Sequence, residues 1–93
     1  MEKNIVIEAR RWFEKTNGNT YHSVRVYVNG ECVGYEPFTY GYGQQYEVTA
    51  LRILQDAGVY LPTFSLSQFM QEMREHRSNF VVTCADVGRK KHL

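Results

Sequence analysis

The chain has 93 residues, enough for one domain with a single hydrophobic core. Its formal net charge is +1, so no overall field attracts it to DNA or to an acidic membrane, and any electrostatic site has to be local. Aromatic residues make up 14% of the sequence, and seven of them are tyrosines, which suit surfaces that are both apolar and hydrogen-bonding. No apolar run reaches membrane-spanning length and no secretory signal begins the chain, so we expect a cytoplasmic protein that does not enter a membrane.

Side chains that would serve catalysis or metal binding are few. Cys32 and Cys84 lie far apart without CxxC spacing, so we expect reduced, mostly buried thiols and no zinc site. The histidines show no ligand spacing, and no HExxH motif or Ser/His/Asp set occurs. His22 shares one side of its predicted strand with valines and is expected at the rim of the core. We therefore predict no cofactor and no enzymatic activity, with an RNA nuclease using His22, Arg10 and Arg25 as the enzymatic alternative.

Period-two alternation of apolar and polar residues predicts four strands. They cover residues 4–13, 21–28, 31–38 and 79–85. Asn29-Gly30, between the second and third strands, is the strongest short signal for a β-hairpin. Pro37 suits the end or the edge of a strand, because proline cannot donate a ladder hydrogen bond.

Helical periodicity fills the stretch between the third strand and the last. The apolar face of the first predicted helix consists of Tyr46, Ala50, Ile53, Leu54 and Ala57. Gly58 follows it at the position that a C-cap glycine takes. A second helix is predicted to start near Leu66, because Ser65 and Gln68 form a capping-box pattern.

The order β-β-β-α-α-β predicts an α+β single domain over residues 1–93. We expect an antiparallel four-stranded sheet, with the last strand beside the first and both helices on one face. The basic tail, residues 89–93, is expected to be mobile beyond Gly88. Burial of Leu93 alone would stabilise the tail by less than the ordering of several residues costs.

The face of the sheet away from the helices, termed the open face, is the first candidate binding site. The expected hairpin register assigns to it Glu8, Arg10, Trp12, Ser23, Arg25, Tyr27, Gly34 and Glu36. Arginines beside exposed aromatic rings are typical of protein interfaces and of surfaces that stack single-stranded nucleic acid. A cation–π pair of Trp12 with Arg25 would avoid repulsion between Arg10 and Arg25. The alternative is a solvated face whose glutamates balance its arginines.

The segment "PFTYGYGQQY", residues 37–46, is the second candidate. Amides that precede a helix can bind an anion, but the glycines lack the spacing of a P-loop or of a dinucleotide fingerprint. In one interpretation the glycines permit a tight turn and the tyrosines cover the edge of the core. In the other the segment is a contact loop, with Tyr40, Tyr42, Gln44 and Gln45 as its binding residues.

Three stretches carry a resemblance to known proteins: "RRWFEKTNGNTYHSVRVYVNG", "YGYGQQY…TAL" and "DVGRKKHL". In this order they resemble small bacteriophage and prophage proteins of uncharacterised function. The resemblance implies expression in the cytoplasm of an infected bacterium. It also implies, as partner, a host or antiviral-defence protein or ribonucleoprotein complex, CRISPR effectors included, that the chain inhibits or modulates. The residues themselves offer nucleic-acid binding by the open face and the basic tail as the alternative.

Overall fold

The structure, a computed structural model, describes residues 3–93. It contains strands β1 (Ile5–Glu14), β2 (Asn19–Val28), β3 (Glu31–Tyr40) and β4 (Phe80–Val87) and helices α1 (Gln45–Asp56) and α2 (Leu66–Glu75). Short 3-10 turns at Arg77–Asn79 and Lys90–His92 flank β4. The predicted α+β class and the element order are confirmed. Within residues 3–93 neither helix has the length and apolar character needed to cross a membrane.

The four strands form one mixed sheet in the order β3-β2-β1-β4. The first three strands form the expected antiparallel meander, and β4 joins the free edge of β1 as predicted. However, β4 runs parallel to β1, so the prediction of a fully antiparallel sheet is wrong for this strand. The reason is the course of the helices. Leu66, at the start of α2, lies beside Val48 near the start of α1, whereas His76, after α2, lies beside Ile5. The chain therefore enters β4 at the end of the sheet where β1 begins.

The core lies between one face of the sheet and the two helices. Its buried apolar residues are Ile5, Ile7, Ala9, Val24, Val26, Tyr46, Ala50, Leu51, Ile53, Leu54 and Phe69. Phe69 is the largest fully buried side chain, and its ring meets the edges of Tyr60 and Phe80 at centroid distances of 5.7 and 6.2 Å. The predicted capping box is confirmed, since Ser65 and Gln68 bond each other's backbone amides at 3.1 and 2.8 Å. This cap fixes the start of α2 and so sets Phe69 over the sheet.

A β-bulge in β3 decides which residues face the helices. The hairpin at Asn29-Gly30 is confirmed, with φ of 52° and 85° at its two central residues. After the pairs Val28–Glu31 and Tyr27–Cys32 the register shifts, so that Gly34 rather than Val33 lies opposite Val26. The expected position of Gly34 on the open face is therefore wrong. Gly34 faces the helices, where a Cβ atom would collide with Ile53.

The same shift changes the position of Glu36. This residue pairs with Val24, whose side chain is fully buried on the helix side, and its carboxylate accepts a hydrogen bond from Arg52 of α1 at 3.1 Å. The prediction that Glu36 lies on the open face is wrong for this reason. Glu36 therefore does not neutralise the positive charges of Arg10 and Arg25 on the open face.

Candidate binding surface

The register of the sheet defines the open face. The face carries Val6, Glu8, Arg10, Trp12, Tyr21, Ser23, Arg25, Tyr27, Cys32, Tyr35, Phe38, Tyr40, Val81, Thr83, Ala85 and Val87. Four of the predicted partner-binding residues, on β1 and β2, are among them, and Tyr40 joins them from the end of β3. Tyr35 was not predicted, because the bulge at Val33 reverses the alternation and brings this residue to the open face. Phe38 was not predicted either, although a second register shift, between Val24 and His22, restores the expected alternation there.

Four aromatic rings on this face touch one another and are termed the aromatic row: Trp12, Tyr21, Phe38 and Tyr40. Tyr21 is the centre. It stacks on Phe38 at 4.6 Å and more loosely on Trp12 at 6.0 Å, and Tyr40 meets it edge-on at 5.8 Å. Phe38 and Tyr40 remain 39% and 61% exposed. The row therefore offers a rigid apolar strip across three strands, with a tyrosine at its outer end.

A charged cluster lies beside the aromatic row. The carboxylate of Glu8 is 3.7 Å from the guanidinium groups of both Arg10 and Arg25. Arg25 also lies over the ring of Tyr35, 4.2 Å from its centroid. The predicted pair of Arg25 with Trp12 is wrong, because Glu8 lies directly opposite Arg25 in the ladder. One carboxylate between two partly exposed arginines leaves the cluster with a net positive charge.

The C-terminal tail lies across this face. Arg10 donates a hydrogen bond to the carbonyl of His92 at 3.0 Å, and the ammonium of Lys90 lies 4.6 Å from the centre of the Phe38 ring. The structure thus gives the tail contacts that the expectation of a tail mobile beyond Gly88 did not include, and mobility itself stays a prediction. The expectation weighed only the burial of Leu93, whereas a charge-assisted hydrogen bond and a cation–π contact add to it. The tail brings its basic residues next to the aromatic row.

The glycines of the 37–46 segment serve the turn between β3 and α1. The amide of Gly41 donates to Thr20 at 3.0 Å, and its carbonyl lies 3.1 Å from His22 Nδ1. Gly43 has a φ of 61° and its carbonyl accepts a hydrogen bond from Arg11 at 2.8 Å. These contacts favour the structural interpretation of the two glycines. The amides of Gln45 and Glu47 are also engaged within the turn, which leaves fewer donors for an anion.

The remaining predicted contact residues of this loop belong to another surface. Tyr42 is 66% exposed, and Gln44 and Gln45 are exposed beside it. They line a shallow groove together with Val48 of α1 and Met70 of α2. The structure therefore does not bring Tyr42, Gln44 and Gln45 together with the open face, and a contact role for them remains a separate prediction.

His22 is buried, as expected for the rim of the core, with 1% of its surface exposed. Its Nδ1 donates to the Gly41 carbonyl, and its Nε2 accepts from the Thr49 hydroxyl at 2.8 Å. Burial lowers the pKa of His22, a shift that the hydrogen bond to Gly41 partly opposes. His22 lies on the helix side, whereas Arg10 and Arg25 lie on the open face. The three residues of the nuclease alternative do not form one site.

The cysteines and acidic residues add no metal site in the part of the chain that the structure describes. No three His, Cys, Asp or Glu side chains among residues 3–93 come together as metal ligands would. Cys32 is an exposed free thiol on the open face, so the expectation that it is mostly buried is wrong. Cys84 is half-buried, and burial raises the pKa of its thiol.

The open face is thus the larger of two candidate surfaces, and the groove beside Tyr42 is the smaller. The open face combines stacked aromatic rings, two arginines and a basic tail. The groove offers exposed side chains but no charged cluster of this kind. Comparison of the chain with protein-family models, with curated proteins and with solved structures finds no match.

Proposed function

We propose that this chain is a small phage-encoded accessory protein that binds a bacterial protein or complex through its open face. The partner is a host protein or an antiviral-defence protein or ribonucleoprotein, which the chain inhibits or modulates in the host cytoplasm. The observation that carries the proposal is the aromatic row on the side of the sheet away from both helices. The assignment to phage and to antiviral defence rests on the resemblance of the sequence.

The aromatic row has the physical properties of an interface centre. Phe38 and Tyr40 expose apolar surface that water solvates poorly, and burial against a partner would recover that free energy. Their rings are carried by a strand and held against Tyr21, Phe38 by stacking and Tyr40 edge-on, so they lose little conformational freedom on binding. Tyrosine, tryptophan and arginine are the residues most enriched at the energetic centres of interfaces.

The charges around the aromatic row define the chemistry of the partner surface. Arg10 and Arg25 share one carboxylate, that of Glu8, and Lys90 adds a further positive charge above Phe38. A complementary partner therefore presents carboxylates next to an apolar patch. Such complementarity raises the association rate and selects among partners more than it raises affinity.

Two tyrosines of similar exposure make a matched test, since Tyr40 lies on the open face and Tyr42 on the groove. Proteins captured from a bacterial lysate by the wild type, Tyr40→Ala and Tyr42→Ala would be quantified by mass spectrometry. We expect Tyr40→Ala to lose a specific partner by about tenfold or more, as for an interface centre, and Tyr42→Ala to retain it. Equal capture by both variants, or capture of chaperones alone under several conditions, would argue against the open face as the binding site.

A second candidate function is binding of single-stranded nucleic acid. It is favoured by the position of Lys90 over Phe38, which sets a basic tail beside rings on which bases could stack. Binding of labelled single- and double-stranded oligonucleotides would be measured by anisotropy at several salt concentrations. This function predicts an affinity that falls steeply with salt and weakens when Arg89, Lys90 and Lys91 are replaced by alanine. Absence of binding at low salt to either probe would eliminate it.

A further inference from the structure

The two edges of the sheet differ in how they are protected against pairing with another strand. The β3 edge carries Pro37, two glutamates and two register shifts, all features that discourage further pairing. In contrast, β4 pairs with β1 through eight consecutive residues without a shift, and its sequence FVVTCADV has no lysine or proline. Among residues 3–93, no strand pairs with the outer side of β4. The β4 edge is therefore unprotected.

The hydrogen-bond pattern fixes which backbone groups of β4 point outward. The amide of Asn29 donates to the carbonyl of Asn4, so even-numbered residues of β1 direct their backbone groups to β2 and odd-numbered ones to β4. In the parallel β1–β4 ladder, odd-numbered residues of β4 then bond to β1. The outward groups belong to Val82, Cys84 and Asp86, together with the carbonyl of Phe80, whose amide bonds to Arg77.

Apolar side chains flank this edge on both faces of the sheet. Val81, on the open face, is 55% exposed, and Val82, on the helix side, is 38% exposed. Val82 lies outside the core cluster, because α1 lies over β2 and β3 rather than over β4. A strand added at this edge would bury both valines while it paired the free backbone groups.

We propose that β4 pairs antiparallel with β4 of a second copy of this chain, about a two-fold axis at Thr83. In this register the residues with outward backbone groups lie opposite one another, Val82 facing Cys84 of the second copy and Phe80 facing Asp86. The two Thr83 residues face each other on the open face, a favourable cross-strand pair. The result is one continuous eight-stranded sheet whose two open faces lie on the same side.

The properties of the strand argue for a second copy as its occupant. When two copies pair about a two-fold axis, the outward backbone groups of β4 in one copy bond to those of β4 in the other, so one set of contacts covers the β4 edge of both copies. The one charge in the strand, Asp86, is held by Arg11 at 2.9 Å and does not meet its own symmetry mate. A pairing limited to one strand edge is smaller than a standard interface of about 1,600 Å², so we expect a dimer with a dissociation constant on the order of micromolar.

Disulfide cross-linking tests the register. Thr83 and Ala85 are both exposed on the open face of β4. In a background with Cys32→Ser and Cys84→Ala, Thr83→Cys should form a disulfide-linked dimer under mild oxidation. The Thr83 residues would form a non-hydrogen-bonded pair with Cα atoms about 4.5 Å apart, within disulfide range. Ala85→Cys should not, because its two copies would be offset by four residues, roughly 13 Å along the strand. Equal cross-linking of both variants would overturn the register.

Sedimentation velocity over a range of concentrations tests the dimer itself, independently of any partner of the open face. We expect the wild type to shift from monomer to dimer, Val82→Lys to dimerise at least about tenfold more weakly, and Val48→Lys to behave as the wild type. Val48 is a matched control, because it is 44% exposed on α1 and away from the edge. A wild type that stays monomeric up to about millimolar concentration, even if its β4 captures extended peptides, would overturn the proposal. So would a dimer that both lysine variants weaken equally.

Discussion

At the scale of single residues, His22 links the pH of the solution to the stability of the fold. Its pKa is lowered in the folded protein by burial, with Glu36 and Arg52 as the charges nearby, so the unfolded chain binds the proton more readily. Its contribution to the free energy of unfolding is then fully present above the unfolded pKa of about 6.5 and is lost as the pH falls through the folded value.

We expect the free energy of unfolding, measured in urea, to decrease as the pH falls from about 7.5 to 5. In His22→Gln the decrease should be smaller, since glutamine cannot take up the proton. Other groups titrate in both proteins, so the difference between the two profiles isolates His22. Parallel profiles would mean that the buried imidazole does not carry this dependence.

A second residue-scale prediction concerns Gly41. A Cβ atom there would lie 2.7 Å from Gln45 Cβ and 2.8 Å from His22 Cε1, both closer than normal contacts. Gly41→Ala should lower the free energy of unfolding by about 1–3 kcal/mol, the usual range for overpacking. Gly88→Ala is the control, because within residues 3–93 no atom apart from those of its chain neighbours lies within 4 Å of its Cβ position. Chemical denaturation of both variants measures the difference, and equal stabilities would exclude the crowding.

At the scale of elements, the capping box ties α2 to the sheet. Ser65→Ala removes the hydroxyl that accepts the Gln68 amide at 3.1 Å, so it should cost about 0.5–2 kcal/mol of stability. Ser67→Ala, an exposed change two residues later, should stay within about 0.5 kcal/mol of the wild type. Thermal unfolding followed by circular dichroism compares them. Equal unfolding midpoints would mean that the cap does not limit the stability of α2.

Elements defined by local chemistry were predictable from the sequence, and those defined by distant contacts were not. Asn29-Gly30 and the Ser65–Gln68 pair act within a few residues, and both were recognised. The direction of β4 depends on how the segment between α1 and α2 returns along the sheet, for which the sequence has no periodic signal. The bulge at Val33 reflects packing of Gly34 against Ile53, a contact between residues almost twenty positions apart.

The residues of the open face were also predictable where local alternation sets their side of the sheet, and not where a distant contact changes it. Arg10, Trp12 and Arg25 were assigned to the correct face, because strand alternation before the bulge was sufficient. Tyr35 was missed, because the alternation predicted from the hairpin is reversed after the bulge at Val33. Phe38 lies on the face that the original alternation predicts, since a second register shift restores it, and it was missed because the expected register was followed only as far as Glu36.

At the scale of the whole molecule, the tail packs on the open face of the sheet. Deletion of residues 89–93 removes the Lys90 contact with Phe38 and the His92 contact with Arg10. Trp12 is the only tryptophan, and it lies beside Gly88, where the tail begins. We expect the deletion to change tryptophan emission while leaving the far-ultraviolet circular dichroism spectrum unchanged. An identical emission spectrum would show that the tail does not stay on the open face in solution.

The position of the tail also decides how this protein should be tagged. Leu93 is half-buried, and the residue before it is bonded to Arg10 of the open face. Any affinity tag or fluorescent protein fused after Leu93 would start from the surface that we propose for binding. It would crowd that surface or pull the tail away from it. Lys3 is exposed at the opposite end of β1, so fusions that precede it leave the open face accessible. Interaction screens with this chain should therefore use amino-terminal fusions. A fusion after Leu93 then serves as the control in which binding through the open face is obstructed.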